Sequence, residues 1–400
     1  MDHPSTRRRF LATTGALTGA GLAGCVSSPG ADTLDAAATS QFRVTLGRHG
    51  YRPVTAPDAV SLDWRLPSLN VGDHTAAKAS AVPLPDGDVV VPGDSGLVYR
   101  VGPDGEVRWR GATDPSVRGI HGTPAVANGQ VYVGAYEGSL YAFDATSGIQ
   151  TWQARLGDAI GASPLYHDGT VYIAVEYYDP DGSLFAVDAA TGEVTWSSDR
   201  PTNHPHSSPA LDTQTGTLVV GSNDGNCYAW DHPSMDPAWV FETPDPIKGP
   251  IATHDGAAFF GSWDHHVYRV DLETGEADWS FETGDLVMSG PGIDPDGEVV
   301  YVGGHDRHLY ALEVATGEPE WSFETGGWLL GCPAVTQDAV LVGSYDGNCY
   351  CVDRDTGEER WRATGGGWVT STPLVREDAV YFTDRASVRR DGSLYRYVPS

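Results

Sequence analysis

Lysine is nearly missing from this chain: Lys78 and Lys248 are the only two in 400 residues. Basic residues number 25 against 54 acidic ones, a formal net charge of −29. A field of that sign repels nucleic acid and anionic lipid surfaces, so nucleic acid is excluded as a partner. Cysteine is equally scarce. Cys25, Cys227, Cys332, Cys349 and Cys351 form neither a disulfide framework nor a zinc-type CxxC pair. No two cysteines are adjacent, and no CxxCH run could attach a c-type haem. Cys227 and Cys349 stand where other repeat copies carry Leu140 and Leu184, so they read as small buried hydrophobes. Cys349 and Cys351 put two sulfurs on one side of a strand. A soft-metal pair is conceivable there, and two packing cysteines are the expectation. Long hydrophobic runs are also absent. The longest candidate, Leu11 to Leu22, is too short and too glycine-rich for a stable spanning helix.

The N-terminus carries an address. Thr6-Arg7-Arg8-Arg9-Phe10-Leu11 resembles a twin-arginine export signal, and Leu22-Ala23-Gly24-Cys25 resembles a lipobox. Their order and spacing mark residues 1–24 as a signal peptide, with Arg7 and Arg8 as its export determinants. Cys25 is then the lipidation site. Residues 25–40, small and polar, read as a flexible tether. The expected location is the outer face of the cytoplasmic membrane, held there by lipid. Dense carboxylate with almost no lysine resembles the proteins of extreme halophiles, in which concentrated salt screens self-repulsion. A halophilic archaeal source is the expectation.

What the chain has in abundance is repetition. Thr123-Pro124-Ala125-Val126, Asn128-Gly129, Val131 to Gly134, Glu137-Gly138, Leu140 to Asp144, Ser147-Gly148 and Trp152 recur in that order along the chain. The closing tryptophans are Trp64, Trp109, Trp152, Trp196, Trp239, Trp279, Trp321 and Trp361. Their steps are 45, 43, 44, 43, 40, 42 and 40 residues. Gly-rich turns between short apolar runs at that period describe a β-propeller blade of four strands. In the clearest unit, strand A spans Pro124 to Ala127 and Asn128-Gly129 is a two-residue hairpin turn. Strand B spans Val131 to Ala135, strand C Ser139 to Phe143, and strand D ends at Trp152. Blades pack face to face, so both strand faces are expected to be buried. The last copy lacks a closing tryptophan, and Leu62 to Leu66 carries Trp64 with no strands A to C before it. The N-terminal strand should therefore complete the last blade, giving an all-β, eight-bladed propeller over residues 41–400. Trp64 should be buried between the last blade and the first.

The pattern Pro-x-Val…Gly-x-Val-Tyr-Val-Gly-Ser-x-Asp-Gly-x-Leu-Tyr-Ala-x-Asp…Thr-Gly-Glu…Trp resembles the PQQ-type repeat. Gly50-Tyr51-Arg52-Pro53 is similar to the segment before the first blade in that family's lipoproteins. The resemblance implies that each tryptophan docks between blades against Ala and Thr-Gly positions such as Ala186, Thr191 and Gly192. The Trp-Asp pairs Trp230-Asp231 and Trp263-Asp264 fall at the wrong repeat positions for a WD40 propeller.

Alternate turns of a blade lie on opposite faces. The face built by strand C-to-D turns repeats Asp-x-x-Thr-Gly-Glu and reads as structural. The other face varies, and variation on a rigid scaffold is where binding resides. Its D-to-A links carry His121, His204, His206, Lys248, Met288, Trp328 and Trp368. Its B-to-C turns carry Tyr136, Asn223, Trp263, His305 and Tyr345. The histidines, which include His265, His266 and His308, invite a metal reading. Strand C lies roughly 10 Å outside strand A, whereas zinc ligands meet at about 2 Å, so no metal site is expected. Asp179 to Gly182 and Asp294 to Gly297 lack the remaining ligands of a calcium loop and read as turns.

The resemblance to BamB-type lipoproteins implies a non-catalytic propeller that presents one face to a protein partner, with no cofactor. In an archaeon only that architecture would transfer, since there is no outer membrane to assemble. A PQQ-dependent quinoprotein dehydrogenase is the first alternative. Trp328 or Trp368 could stack on a quinone, but the calcium ligands and aspartate base that the resemblance would require are not evident. A surface sugar- or polymer-binding module using Trp263, Trp328, Trp368 and Tyr345 is the second.

Overall fold

Each repeat folds into a four-stranded antiparallel sheet, and eight such sheets make an all-β propeller. The computed structural model describes residues 38–71, 79–114, 116, 118–179, 181–294, 298–385 and 390–400. The twin-arginine motif, Cys25, Lys78 and most of the tether lie outside the described residues, as do Pro180 and residues 295–297 of the two Asp-Pro-Asp-Gly turns.

Blade 2 shows the logic. Ala125–Ala127, Gln130–Gly134, Ser139–Asp144 and Gln150–Arg155 pair in sequence order. The turn between the first two uses Asn128 at φ 50° and Gly129 at φ 72°, the positive angles that a tight hairpin needs. Strand D runs through Trp152 to Arg155 and does not end at the tryptophan. In every blade the pairing of strand C with strand D shifts register beside the tryptophan, as between Gln150 and Trp152 or Ala311 and Leu312. Such a bulge re-aims a side chain. Here it turns the indole out of the sheet and onto the next blade.

The full burial expected of both strand faces holds for strand B, such as Val299–Gly303, but not for strand D. The D strands alternate exposed and half-buried residues, as in Pro319–Glu324. Blades diverge outward, so the outermost strand meets water between its neighbours. The tryptophans follow suit. Trp109 and Trp361 are buried and the other six, Trp64 included, are half-buried.

The clasp closes the ring. Val60–Asn70 pairs with the last strand, Gly392–Pro399, in the register Leu62 to Tyr397, Trp64 to Arg396 and Leu66 to Leu394. Arg396 forms an ion pair with Asp63 across the joint. The Trp64 indole donates to the Pro103 carbonyl of blade 1 at 2.9 Å. The Trp361 indole of blade 7 donates to Pro57, at the other end of the chain, at 2.7 Å.

Residues 38–50, the end of the segment read as tether and the start of the lead-in, line the inside of the ring. Ala38–Ser40 adds a fifth strand to the inner edge of blade 2. The following carbonyls of Leu46, Gly47, His49 and Gly50 accept from Leu211, Thr253, Ile293 and Val335, the inner strands of blades 4 to 7. Arg48 is wholly buried. Its guanidinium donates to the carbonyls of Phe42 (2.7 Å), Pro209 (2.9 Å) and Pro164 (3.0 Å). Burial pulls its pKa down to about 9, with Arg43 adding to the fall. This segment plugs the central channel.

Candidate functional site

Main-chain bonds bring the varied links and turns together. The first residue of each B-to-C turn donates its N–H to the link entering its blade: Tyr136 to Gly119 (2.9 Å), Trp263 to Pro246 (2.9 Å), His305 to Leu286 (3.0 Å) and Tyr345 to Trp328 (3.0 Å). The result is a funnel of about 680 Å³ at one end of the plugged channel. Tyr136, His204, His206, Asn223, Lys248, Met288, His305, Trp328 and Tyr345 line it. His121 sits just below, beside His206, Lys248 and Met288, in a cavity of about 40 Å³ whose floor includes Phe42. Trp263 carries Lys248 on its ring, and Trp368 stacks on Tyr345.

The two sides of the funnel differ. On blades 6 to 8 the rings form a ladder. His305 stacks on Trp328 at 5.0 Å, Trp328 tilts against Tyr345 at 5.6 Å, and Tyr345 stacks on Trp368 at 5.2 Å. Trp328 is 48% exposed and Trp368 42%. On blades 2 to 4 the centre is Glu176, a buried carboxylate. It bonds His206 Nδ1 at 2.8 Å, and the Tyr136 hydroxyl lies 3.4 Å from the same nitrogen. Burial works to raise the Glu176 pKa. His206, His204 and Arg118 outweigh it and hold the carboxyl below its usual range. His204 Nε2 meets the Tyr177 carbonyl at 2.7 Å.

Sequence reasoning missed Glu176, Arg118, Tyr177, Tyr178 and Arg385, all of which line the funnel. Two had a signal. Glu176 is an acid at the end of the apolar run Val171 to Val175, and Arg385 holds in the last copy the turn position that Tyr345 holds in the copy before. Tyr178 sits on the long turn of blade 3 and is 86% exposed.

The remaining histidines are structural. Asp264 and Asp306 cap the turns that His266 and His308 follow, and accept the hydroxyls of Tyr268 (2.7 Å) and Tyr310 (2.6 Å). Asp224 and Asp346 hold Tyr228 and Tyr350 in the same way, which accounts for the repeated Asp-Gly-x-Leu-Tyr. On the opposite face the Asp-x-x-Thr-Gly-Glu corners are hydrogen-bonded turns. Asp271 accepts from the Thr274 N–H (2.7 Å) and hydroxyl (2.9 Å), bonds that lower its pKa.

Seven of the eight tryptophans donate their indole N–H to a main-chain carbonyl of the next blade. Trp152 donates to the Ala189 carbonyl at 3.0 Å and covers Gly192. Ala186 is instead the cross-strand partner of Trp196. Trp196 meets Trp230 edge-on at 6.1 Å.

Among the described residues the funnel offers few ligands to a calcium ion of the kind that PQQ would need. Calcium takes six to eight oxygen ligands, and the one buried carboxylate at the funnel centre is already bonded to an imidazole. Among the described residues no three His, Cys, Asp or Glu side chains converge as metal ligands.

Known structures share the fold. The quinohemoprotein alcohol dehydrogenase ADHIIG of Pseudomonas putida HK5 superposes with a TM-score of 0.75 at 16% identity, over 91% of this chain and 80% of that one. BamB from Moraxella catarrhalis gives 0.67 at 19% identity, over 85% and 100%. A europium-containing methanol dehydrogenase gives 0.73 at 11%, over 91% and 98%. Identities this low establish the architecture alone. No curated protein sequence matches the chain. The sequence profile of the outer membrane protein assembly factor BamB, by contrast, matches residues 94–215, 180–327 and 306–398. These segments take in well over half of the chain, which therefore belongs to the BamB family of PQQ-like repeat propellers.

Proposed function

We propose that the protein is a non-catalytic scaffold whose funnel face docks a protein partner at the cell surface. The supporting observation is the funnel's make-up: half-exposed tryptophans and a fully presented Tyr178 around a blind cavity. Aromatic rings with one apolar and one polar end are the side chains that dominate protein interfaces. Export by the twin-arginine route and a lipid on Cys25 would hold that face near the membrane, and Cys25→Ala should shift the protein to the soluble fraction. Assembly at an outer membrane is what the description of the matching family profile names. The dehydrogenase alternative would predict dye reduction with alcohols or sugars once PQQ and calcium are added; none is expected. The glycan alternative is less favoured because a neighbouring ring or cation already occupies one face of Trp328, Trp368 and Trp263.

The test is a photo-crosslinking residue at position 328, compared with one at position 355 on the opposite face, in intact cells. Protein adducts from 328 alone are expected. Adducts from 355 alone, or equally from both, would overturn the reading.

A further inference from the structure

The funnel inverts the chemistry of the rest of the molecule. The chain has 54 acidic and 25 basic residues. Among the described residues the funnel is lined by Arg118, Lys248 and Arg385 against Asp158 and Glu176. It holds one of the chain's two lysines. Elsewhere many arginines pair with the abundant carboxylates, as Arg100 does with Asp88 and Arg360 with Asp353, though Arg110 and Arg200 also rest on rings. Among the described residues the three funnel cations make no ion pair; each rests on an aromatic face instead. Arg118 lies over Tyr136 at 5.3 Å and Lys248 over Trp263 at 3.8 Å. Arg385 lies over Tyr345 at 5.5 Å and Trp368 at 5.2 Å.

A ring face positions a cation without neutralising it. Three cations, on blades 2, 5 and 8, are thus held toward one cavity without an ion-pair contact, and Glu176 acts on Arg118 and Lys248 only at a distance. A single small anion would meet one of them; a chain of carboxylates can meet all three. On this basis, and resting on the protein-docking reading above, we propose that the partner inserts an acidic segment, rich in Asp or Glu, into the funnel. Arg118, Lys248 and Arg385 receive its carboxylates, and the half-exposed Trp328 and Trp368 pack against its stem. Acidic polysaccharide is the other polyanion at hand, but rings with one face already occupied by a neighbour favour peptide. Charge pairs inside a partly enclosed funnel are screened less by salt than those on an open surface, so the contact is suited to a molecule with a strongly repulsive exterior.

The probe is octaglutamate, titrated calorimetrically into the full-length protein at the lowest salt at which it stays folded, with octaglutamine and an oligogalacturonate of equal charge as controls. The expected result is one octaglutamate per propeller, no binding of octaglutamine, and about tenfold weaker binding in Lys248→Gln. Arg118→Gln, read separately, should weaken it similarly, and melting curves of both variants verify that they fold. Octaglutamate failing to bind, binding unchanged in both variants, or binding more weakly than oligogalacturonate would overturn the proposal. Crosslinking from position 328 separates the two ideas. Protein adducts there, with no octaglutamate binding, would leave a docking face whose partner is not acidic.

Discussion

Gly148, Gly192, Gly275, Gly317 and Gly357 each lie under an indole from the preceding blade, at φ between 71° and 77°. A Cβ at Gly192 would come within 2.8 Å of the Trp152 ring. Both the angle and the contact forbid a side chain, so Gly192→Ala should destabilise by about 2–4 kcal/mol in chemical denaturation. These pairs were legible from sequence because the repeat prints Thr-Gly and Trp at fixed offsets. His49 was not, since it belongs to no repeat. Its Nε2 meets the Thr253 carbonyl at 2.6 Å inside the plug. Burial is the main force holding its pKa at about 4, below the ordinary 6.5. The folded state therefore keeps the ring neutral while the unfolded chain takes up a proton. Stability should fall as pH drops from 6.5 to 4, and the fall should be shallower in His49→Gln. A pH series of melting temperatures for both proteins reads this directly.

At the scale of elements, the blades were read nearly residue for residue because hydrophobic runs, hairpin glycines and tryptophans recur in phase. The clasp followed from counting. Strand D was misjudged at its end and in its burial, because blade divergence is a property of the ring and leaves no mark on a single repeat. The plug was missed altogether. Its side chains look like those of a polar loop, and what holds it are main-chain N–H groups of blades 4 to 7 and its own two buried guanidiniums, Arg43 and Arg48, none of which produces a periodic pattern. Deleting residues 41–66 removes plug and clasp strand together. It should leave Gly392–Pro399 as an open edge, and size-exclusion with light scattering should show aggregates where the full chain runs as a discrete species.

For the whole molecule, charge dominates. A net −29 spread over corners such as Asp271 to Glu276 puts like charges on one face of every blade. The melting temperature should climb as KCl rises into the molar range, because screening relieves that repulsion; a flat profile would remove the halophile reading. Against this exterior the cationic funnel is the exception. It was partly legible: the varied face was identified from sequence, while Glu176 and the ring-held cations emerge only when the turns converge. The most direct test of the funnel as the docking face is hydrogen exchange on the propeller, free and bound to the crosslinked partner. Protection confined to the segments around Tyr136, His206, Trp263, Trp328 and Tyr345, with the Asp-x-x-Thr-Gly-Glu corners unchanged, is the expected result. Protection of the corners with the funnel exchanging freely would contradict the account.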